Sequence, residues 1–388
     1  MSIPRLDILL YSHDGRGLGH ASRTIAIGMA LRRLYPRLRV LFVSGTPMSR
    51  ELRGAAPLDW LKLPAYETRV VEGRSRGMDG MSNYTDQQLG LLRAASLRQI
   101  MELYRPRVVL ADHSPCGKHR ELLPALESCS PGATSWVLGV RGVVGKVRQV
   151  GSAAAAEVFR RHFKALLWYG DSTILGSADC SRLADTYGTT PLETGYVSRM
   201  AELAAVEPFA ESGPQPLATI SIPWFGENST SMLSCLYQAL QAPELVNRRW
   251  NIFLPAEKGI AKTARFVNKL KSIPGCRLFS FGPRYHGSLL ASRAALIYGG
   301  YNSLTDVLYA RVPTIVLERA MEDDEQQQHL ALLTAGSHGL LRSVAEQDLE
   351  PEHLRRLLAT LFRQPRPPAG RLNLEGAAMA AAQLAALV

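Results

Sequence analysis

Short apolar runs alternate with longer amphipathic ones along most of the chain. "LDILLYS" is followed by "ASRTIAIGMALRRLY", then by "LRVLFVSG" and a stretch opening at "TPMSREL". "RVVLADHS", "TSWVLGVRG" and "ALLWYG" continue the series. The short runs are nearly all apolar rather than alternating, the pattern of strands covered by helices on both faces of a parallel sheet. The rhythm breaks at "AVEPFAESGPQPL", a polar, proline-containing stretch, and restarts with "LATISIP", "RWNIFLPAE", "CRLFSFG", "AALIYGG" and "PTIVLER". The pattern predicts an α/β chain with two doubly wound, Rossmann-like parallel-sheet domains. The first spans 1–204, a linker covers 205–217 and the second domain spans 218–372. Residues 373–388, "LEGAAMAAAQLAALV" after Asn373, form a terminal helix whose apolar face suits core packing.

Composition narrows the picture. With 388 residues, 46 % of them hydrophobic, the chain can bury a sizeable core. No apolar run reaches the roughly 18 residues needed to span a bilayer, and "MSIPRLDILLYSHDG" lacks the layout of a signal peptide. Five scattered cysteines with no C-x-x-C pair point to a reducing cytoplasm and away from a disulfide framework or zinc site. A cytoplasmic location is expected, with peripheral contact at the inner membrane face as an option.

The net charge of +11 is spread over many arginines rather than gathered in a tail. It favours anionic partners such as nucleotides, phosphorylated acceptors or an acidic membrane face. The lack of a lysine-rich block or a basic-aromatic stripe argues against nucleic acid. Arg69, Arg74 and Arg76 fall in "YETRVVEGRSRGMDG", which reads as a long loop of the kind used for lids or acceptor contacts.

In doubly wound sheets ligands bind beyond the carboxyl ends of the strands, and two such domains set a cleft between two sets of ends. The first strand-to-helix loop is "HDGRGLGHASR", residues 13–23. A dinucleotide fingerprint starting at Gly15 requires glycine at position 20, which is His20, and the second strand ends in Ser44 and Gly45 rather than near an acid. No G-x-x-x-x-G-K-[ST] phosphate loop occurs. Gly17 and Gly19 permit close approach of backbone to a ligand. His20, at the start of the following helix, has the ordinary pKa of a general base, or it simply caps that helix. Asp112 and His113 in "LADHS" and Arg141 in "VLGVRG" lie at further strand ends, where they line an acceptor or form a structural ion pair.

The second loop system is "IYGGYNSLTDVLYARVPTIVLERAMEDDEQQQHL", residues 297–330. A strand ends in Gly299 and Gly300, then Tyr301, and Asn302 or Ser303 caps a helix whose free N–H groups make an anion site. Asp306, one turn in, suits ribose hydroxyls. The polar cluster around Glu325 and Gln326 suits sugar hydroxyls.

This second stretch resembles the donor-binding signature of GT-B glycosyltransferases of the MurG-like group (glycosyltransferase family 28 and its relatives). "LYSHDGRGLGHASRTIAIGMAL", "ADHSPCGKHRELLPAL", "WVLGVRGVVG", "LLWYGD" and "ETGYVSR" extend the resemblance over nearly the whole chain. It implies the GT-B fold and transfer of a hexose from a nucleotide-diphosphate sugar, UDP-sugar favoured, to a hydroxyl acceptor. It places His20 near the reacting centre and Gly17 and Gly19 at the diphosphate or acceptor. Ser303 and the amides after Gly300 bind phosphate, Asp306 stands in for a ribose-binding glutamate, and Glu325 and Gln326 contact the sugar. The loop "IPWFGENSTS" supplies Gly226, Asn228 and Ser229 to the diphosphate, and Phe281 belongs to the base pocket. Pro223, Trp224 and Phe225 depart from the small residues usual in that loop, and Arg311 stands where glycine commonly precedes the proline.

Since helix N–H groups and hydroxyls hold the diphosphate, neither metal nor cofactor is expected, and no D-x-D strand end occurs. The acceptor is a lipid-linked molecule, a saccharide or a small molecule. Three alternatives stand beside the transferase. A GT-B nucleotide-sugar epimerase calls for several carboxylates around the sugar. A non-catalytic protein closing on sugar or nucleotide predicts binding without turnover. A nucleic-acid-modifying transferase predicts steeply salt-dependent binding.

Overall fold

The computed structural model describes residues 3–13, 18–71, 74–78, 83–130, 132–144, 148–206, 217–255, 261–319, 325–337, 339–368 and 372–388. Contacts divide the chain into two compact units, Met1–Glu207 with Leu372–Val388, and Pro208–Arg371.

The apolar runs form the strands. In the first unit these are β1 (Ile8–Ser12), β2 (Val40–Ser44), β3 (Asp59–Lys62), β6 (Val108–Asp112), β7 (Ser135–Arg141), β8 (Phe163–Tyr169) and β9 (Leu192–Glu193). They make a seven-stranded sheet in the order β3-β2-β1-β6-β7-β8-β9, with every pairing parallel. A separate antiparallel pair, β4 (Glu67–Val71) and β5 (Arg74–Met78), lies where the sequence suggests a long loop. Charged residues at alternate positions disguise this hairpin, because neither of its faces reads as apolar. In the second unit β10 (Leu217–Ser221), β11 (Arg249–Leu254), β12 (Cys276–Ser280), β13 (Ser292–Tyr298), β14 (Thr314–Glu318) and β15 (Leu341–Ala345) form a six-stranded sheet, β12-β11-β10-β13-β14-β15. It too is parallel throughout.

Both sheets reverse direction in mid-course. The strand order turns between β1 and β6 in one unit and between β10 and β13 in the other. These are the switch points at which adjacent strand-to-helix connections diverge to opposite faces and leave a crevice at the carboxyl edge. Central strands are completely buried, as their unbroken apolar character requires: β1, β2, β6 and β10 have no exposed position. The edge strands β3, β9 and β15 carry exposed residues, and their short, polar sequences give no strand signal. The core of the second unit gathers Ile220, Leu236, Trp250, Ile252, Leu296, Ile315 and Leu358.

Six helices matter below: α1 (Gly19–Leu34), α2 (Ser229–Leu240), α3 (Arg284–Leu290), α4 (Tyr301–Ala310), α5 (Glu325–Gly336) and α6 (Gly376–Ala385). The proposed linker falls almost wholly outside the described residues; Ala205 and Val206 end a helix and Leu217 begins β10. The terminal helix α6 returns to the first unit and packs on α1. Its apolar face, Ala377, Ala380, Ala381 and Leu384, is buried. Gly376 is required where α6 starts, because a Cβ there would meet the Gly195 and Tyr196 backbone within 3 Å.

Beneath the first switch point sits a buried ion pair. Arg93 donates to Glu121 at 2.6 and 3.0 Å, with both side chains fully buried. Tyr66 donates its hydroxyl to the same carboxylate at 2.6 Å, and Tyr11 of β1 donates to its other oxygen. The pair satisfies every charge it buries, as a desolvated pair must, and anchors the end of β1 next to the site.

Candidate functional site

At the first switch point, β1 and β6 run side by side with Ser12 opposite Asp112. The residues that follow them, His13 and His113, therefore emerge next to each other at the carboxyl edge. His20, second residue of α1, completes the group: its ring lies 4.1 Å from that of His13 and 5.2 Å from that of His113, centroid to centroid. Its Nδ1 is 2.6 Å from Oδ2 of Asp112. Arg23, one turn further along α1, donates to the same oxygen at 3.1 Å and lies equally far from His20 Nδ1.

Electrostatics decides the proton positions. Burial opposes charge on Asp112, but Arg23 and His20 outweigh it and hold the carboxyl below its usual range. Asp112 is therefore an anion, and Arg23 has no proton acceptor to spare for His20. Nδ1 must then carry the proton given to Asp112, which leaves the lone pair on Nε2. Burial also lowers the pKa of His20, although Asp112 pulls it upward. The imidazole is thus a neutral base at pH 7, oriented by a carboxylate, with 22 % of its side chain exposed against 1 % for Asp112. Such a dyad is the arrangement of a general base with its tautomer fixed.

The two flanking histidines are held neutral. Burial first, then repulsion from His20 whenever that ring is protonated, pushes His13 well below the ordinary value. Burial and the Arg141 guanidinium do the same to His113. His113 adopts φ of 74°, in the left-handed region costly for a residue with a Cβ, and its N–H bonds the Gly139 carbonyl at 2.7 Å. These shifts have a stability consequence. Below about pH 6.5 the unfolded chain binds protons that folded His13, His20 and His113 refuse, so stability is full above that pH. It should fall as pH drops from there through the lower folded values. A melting-temperature series from pH 8 to pH 5 checks this; a flat profile contradicts the buried, neutral assignment.

The structure brings together His20, Asp112, His113 and Arg141, which ends β7, while Gly19 is the first residue of α1. Gly17 lies outside the described residues. His13 and Arg23 belong to the group but were not singled out from sequence. His13 directly follows the first strand and Arg23 sits one helical turn from His20, so strand order and helix period together carry that signal.

At the second switch point the β10–α2 and β13–α4 connections lie side by side. The turn into α2 is closed by Ser229 Oγ, which accepts from the Gly226 N–H at 2.7 Å. Asn228 is exposed and is the N-cap, without a side-chain hydrogen bond. Gly299 donates to the Leu317 carbonyl at 3.2 Å, and a Cβ on Gly300 would meet open space. The cap of α4 differs from expectation: Gly300 is the N-cap and Tyr301, Asn302 and Ser303 form the first turn, with no side chain capping the helix. The helix thus begins two residues sooner than with a cap at Asn302 and three sooner than with one at Ser303. The result is a helix start open to an anion.

Other expected donor residues are dispersed along the same edge. Phe281 follows the outer strand β12 and is half-buried near Tyr285, ring centroids 5.6 Å apart. Asp306 points inward: it is buried, with its carboxylate 4.0 Å from Nε2 of the equally buried His286 in α3. That position ties α4 to α3 rather than presenting a carboxylate at the surface. Glu325 and Gln326 open α5; Gln326 is half-buried, and the Glu325 side chain lies outside the described atoms. Among the described residues no group of three or more His, Cys, Asp or Glu side chains is arranged to hold a metal ion, and no helix is long and apolar enough to cross a membrane.

Neither a family model nor a curated protein sequence matches the chain. Solved structures do. MurG of Acinetobacter baumannii is 14 % identical, with 97 % of this chain and 95 % of that one covered at a TM-score of 0.53. The glycosyltransferase SnogD from Streptomyces nogalater is 17 % identical over 98 % and 99 %, TM-score 0.57. UDP-GlcNAc 2-epimerase from Methanocaldococcus jannaschii is 11 % identical over 98 % and 99 %, TM-score 0.63. The chain has the fold of these proteins, two Rossmann-like parallel-sheet domains of the GT-B type.

Proposed function

We propose that the protein is a glycosyltransferase that moves a sugar from a nucleotide-diphosphate sugar, with a UDP-sugar favoured, to a hydroxyl acceptor. The observation that carries this reading is the His20–Asp112 dyad at the first switch point. His20 Nε2 takes the proton of the acceptor hydroxyl as its oxygen attacks the anomeric carbon. The bond from that carbon to the phosphate oxygen breaks, and the nucleoside diphosphate leaves with the electron pair. Asp112 stabilises the imidazolium as it forms. The uncapped start of α4 and the Gly226–Ser229 turn into α2 receive the diphosphate charge through backbone N–H groups, so no metal is required. Asn302, Ser303 and the Glu325–Gln326 pair serve the donor; Arg141 serves the acceptor, and buried His113 packs beside His20.

An epimerase reading draws on the likeness to UDP-GlcNAc 2-epimerase. It needs acids on the sugar itself, whereas Asp112 is spent on orienting a histidine and Asp306 and Glu346 are buried against His286 and Arg319. The two readings separate in one assay. Wild-type protein is incubated with UDP-glucose, UDP-GlcNAc, GDP-mannose and dTDP-glucose, with EDTA, and followed by NMR with and without a mixed acceptor pool of glycosides, phenols and lipid-linked alcohols. Nucleoside diphosphate release that depends on acceptor and persists in EDTA is expected. Conversion of the donor sugar without acceptor would establish the epimerase. Binding without any chemistry would leave a binding protein.

A further inference from the structure

Four groups, one from each of four adjacent strands, form a row across the carboxyl edge of the second sheet. Trp224 follows β10, Tyr298 ends β13, Arg319 follows β14 and Glu346 follows β15. The Arg319 guanidinium is clasped between two aromatic faces, its Cζ 3.7 Å from the ring centre of Trp224 and 3.9 Å from that of Tyr298. Its Nε donates to Glu346 at 3.2 Å, and its Nη2 to the Trp224 carbonyl at 3.0 Å. Tyr298 donates its hydroxyl to the other Glu346 oxygen at 2.6 Å. Only 9 % of Arg319 is exposed, and its Nη1 is buried with no partner among the described residues.

This arrangement is polar along the row. The negative end, Glu346, lies at the edge strand and is further satisfied by Tyr298. The positive end reaches across β13 to the β10–α2 turn, where Arg319 Cζ is 3.8 Å from the place a Cβ on Gly226 would occupy. A buried ion pair is a weak source of stability, yet here it is fixed by two stacked rings and a carbonyl. It keeps a cation, with one unfilled nitrogen, behind the N-terminus of the twelve-residue helix α2. Trp224 thereby gains a reason to occupy a loop that in similar sequences is built of small residues: its ring covers the guanidinium and its carbonyl takes one of the N–H groups.

We propose that Arg319 is a positioning residue for a phosphoryl subsite at the start of α2, where it locks the Trp224–Ser229 turn and supplies fixed positive charge to a nucleoside diphosphate. This rests on the nucleotide-sugar reading and adds to it the residue that tells diphosphate from nucleoside. Lysine cannot replace it fully, since an ammonium lacks the planar fork and the stacking face.

The test compares UDP with uridine by calorimetry on wild type, Arg319→Lys and the double variant Arg319→Met/Glu346→Gln. The double variant removes both charges, so no unpaired buried carboxylate remains to unfold the protein. UDP affinity should fall about 10- to 100-fold in the double variant while uridine changes by less than about twofold, with Arg319→Lys intermediate. An unchanged ratio of UDP to uridine affinity in both variants overturns the proposal, as does an equal loss for both ligands, which marks a structural role. If wild type binds UDP selectively and the ratio stays fixed, this inference fails alone. If wild type binds neither UDP nor any other nucleoside diphosphate, the functional reading fails and takes this one with it.

Discussion

Replacing His20 with alanine should lower the turnover number for sugar transfer by about 10²- to 10⁴-fold, the usual contribution of a positioned general base. The reason is geometric. His20 is the partly exposed member of the cluster, and its Nε2 is the lone pair left over once Nδ1 is committed to Asp112. His13 and His113 are too deeply buried to substitute for it. Binding of nucleoside diphosphate should stay within about twofold, because the groups assigned to the phosphates all belong to the second unit. KM for the donor should change little, so the loss falls on kcat, as expected of an interaction made in the transition state. A variant that folds, binds UDP normally and still transfers sugar at more than a tenth of the wild-type rate would remove His20 from the mechanism.

Asp112→Asn should leave the fold intact and reduce kcat by on the order of 10²- to 10³-fold, since a neutral amide no longer fixes the proton on Nδ1 or stabilises the imidazolium. The pH profile gives a second and more specific sign. In the wild type the acid limb should lie below the ordinary histidine value, because burial already depresses His20. The Asp112 carboxylate is the group that raises it, so removing that charge should move the limb to still lower pH. Activity and limb thus shift down together. A limb that moves upward, or a full-rate variant, would show that Asp112 does not act through His20. Arg23 gives an internal control of the logic: it lies against both residues, and its charge favours ionised Asp112 and neutral His20.

How much of this was legible in the sequence depends on burial. Strands such as "LDILLYS" and "AALIYGG" are central, and their unbroken apolar runs announce a parallel sheet with both faces covered. Edge strands such as "DWLK" and "LRSVA" need no such run, and nothing local distinguishes them from loops. His20 and Asp112 stand 92 positions apart. Each is recognisable as a strand- or helix-end residue, but their pairing depends on β1 lying beside β6, which is a property of strand order. The cap of α4 falls at Gly300 rather than at Asn302 or Ser303, because the helix begins directly after the strand end and no side chain is needed to cap it. Asp306 suits ribose hydroxyls by its place one turn into the helix, while its burial against His286 depends on how α3 packs and has no local signature. Arg319 has no motif at all; it becomes visible only when four strand ends are lined up.

The central claim, that this fold holds a nucleoside diphosphate, is tested most directly by calorimetric titration of the wild-type protein with UDP, GDP, dTDP, ADP and NAD, each with and without EDTA. Saturable binding of one nucleoside diphosphate, UDP above the rest and unaffected by EDTA, is the predicted result. Binding of NAD alone, or of none of the five, would contradict the account.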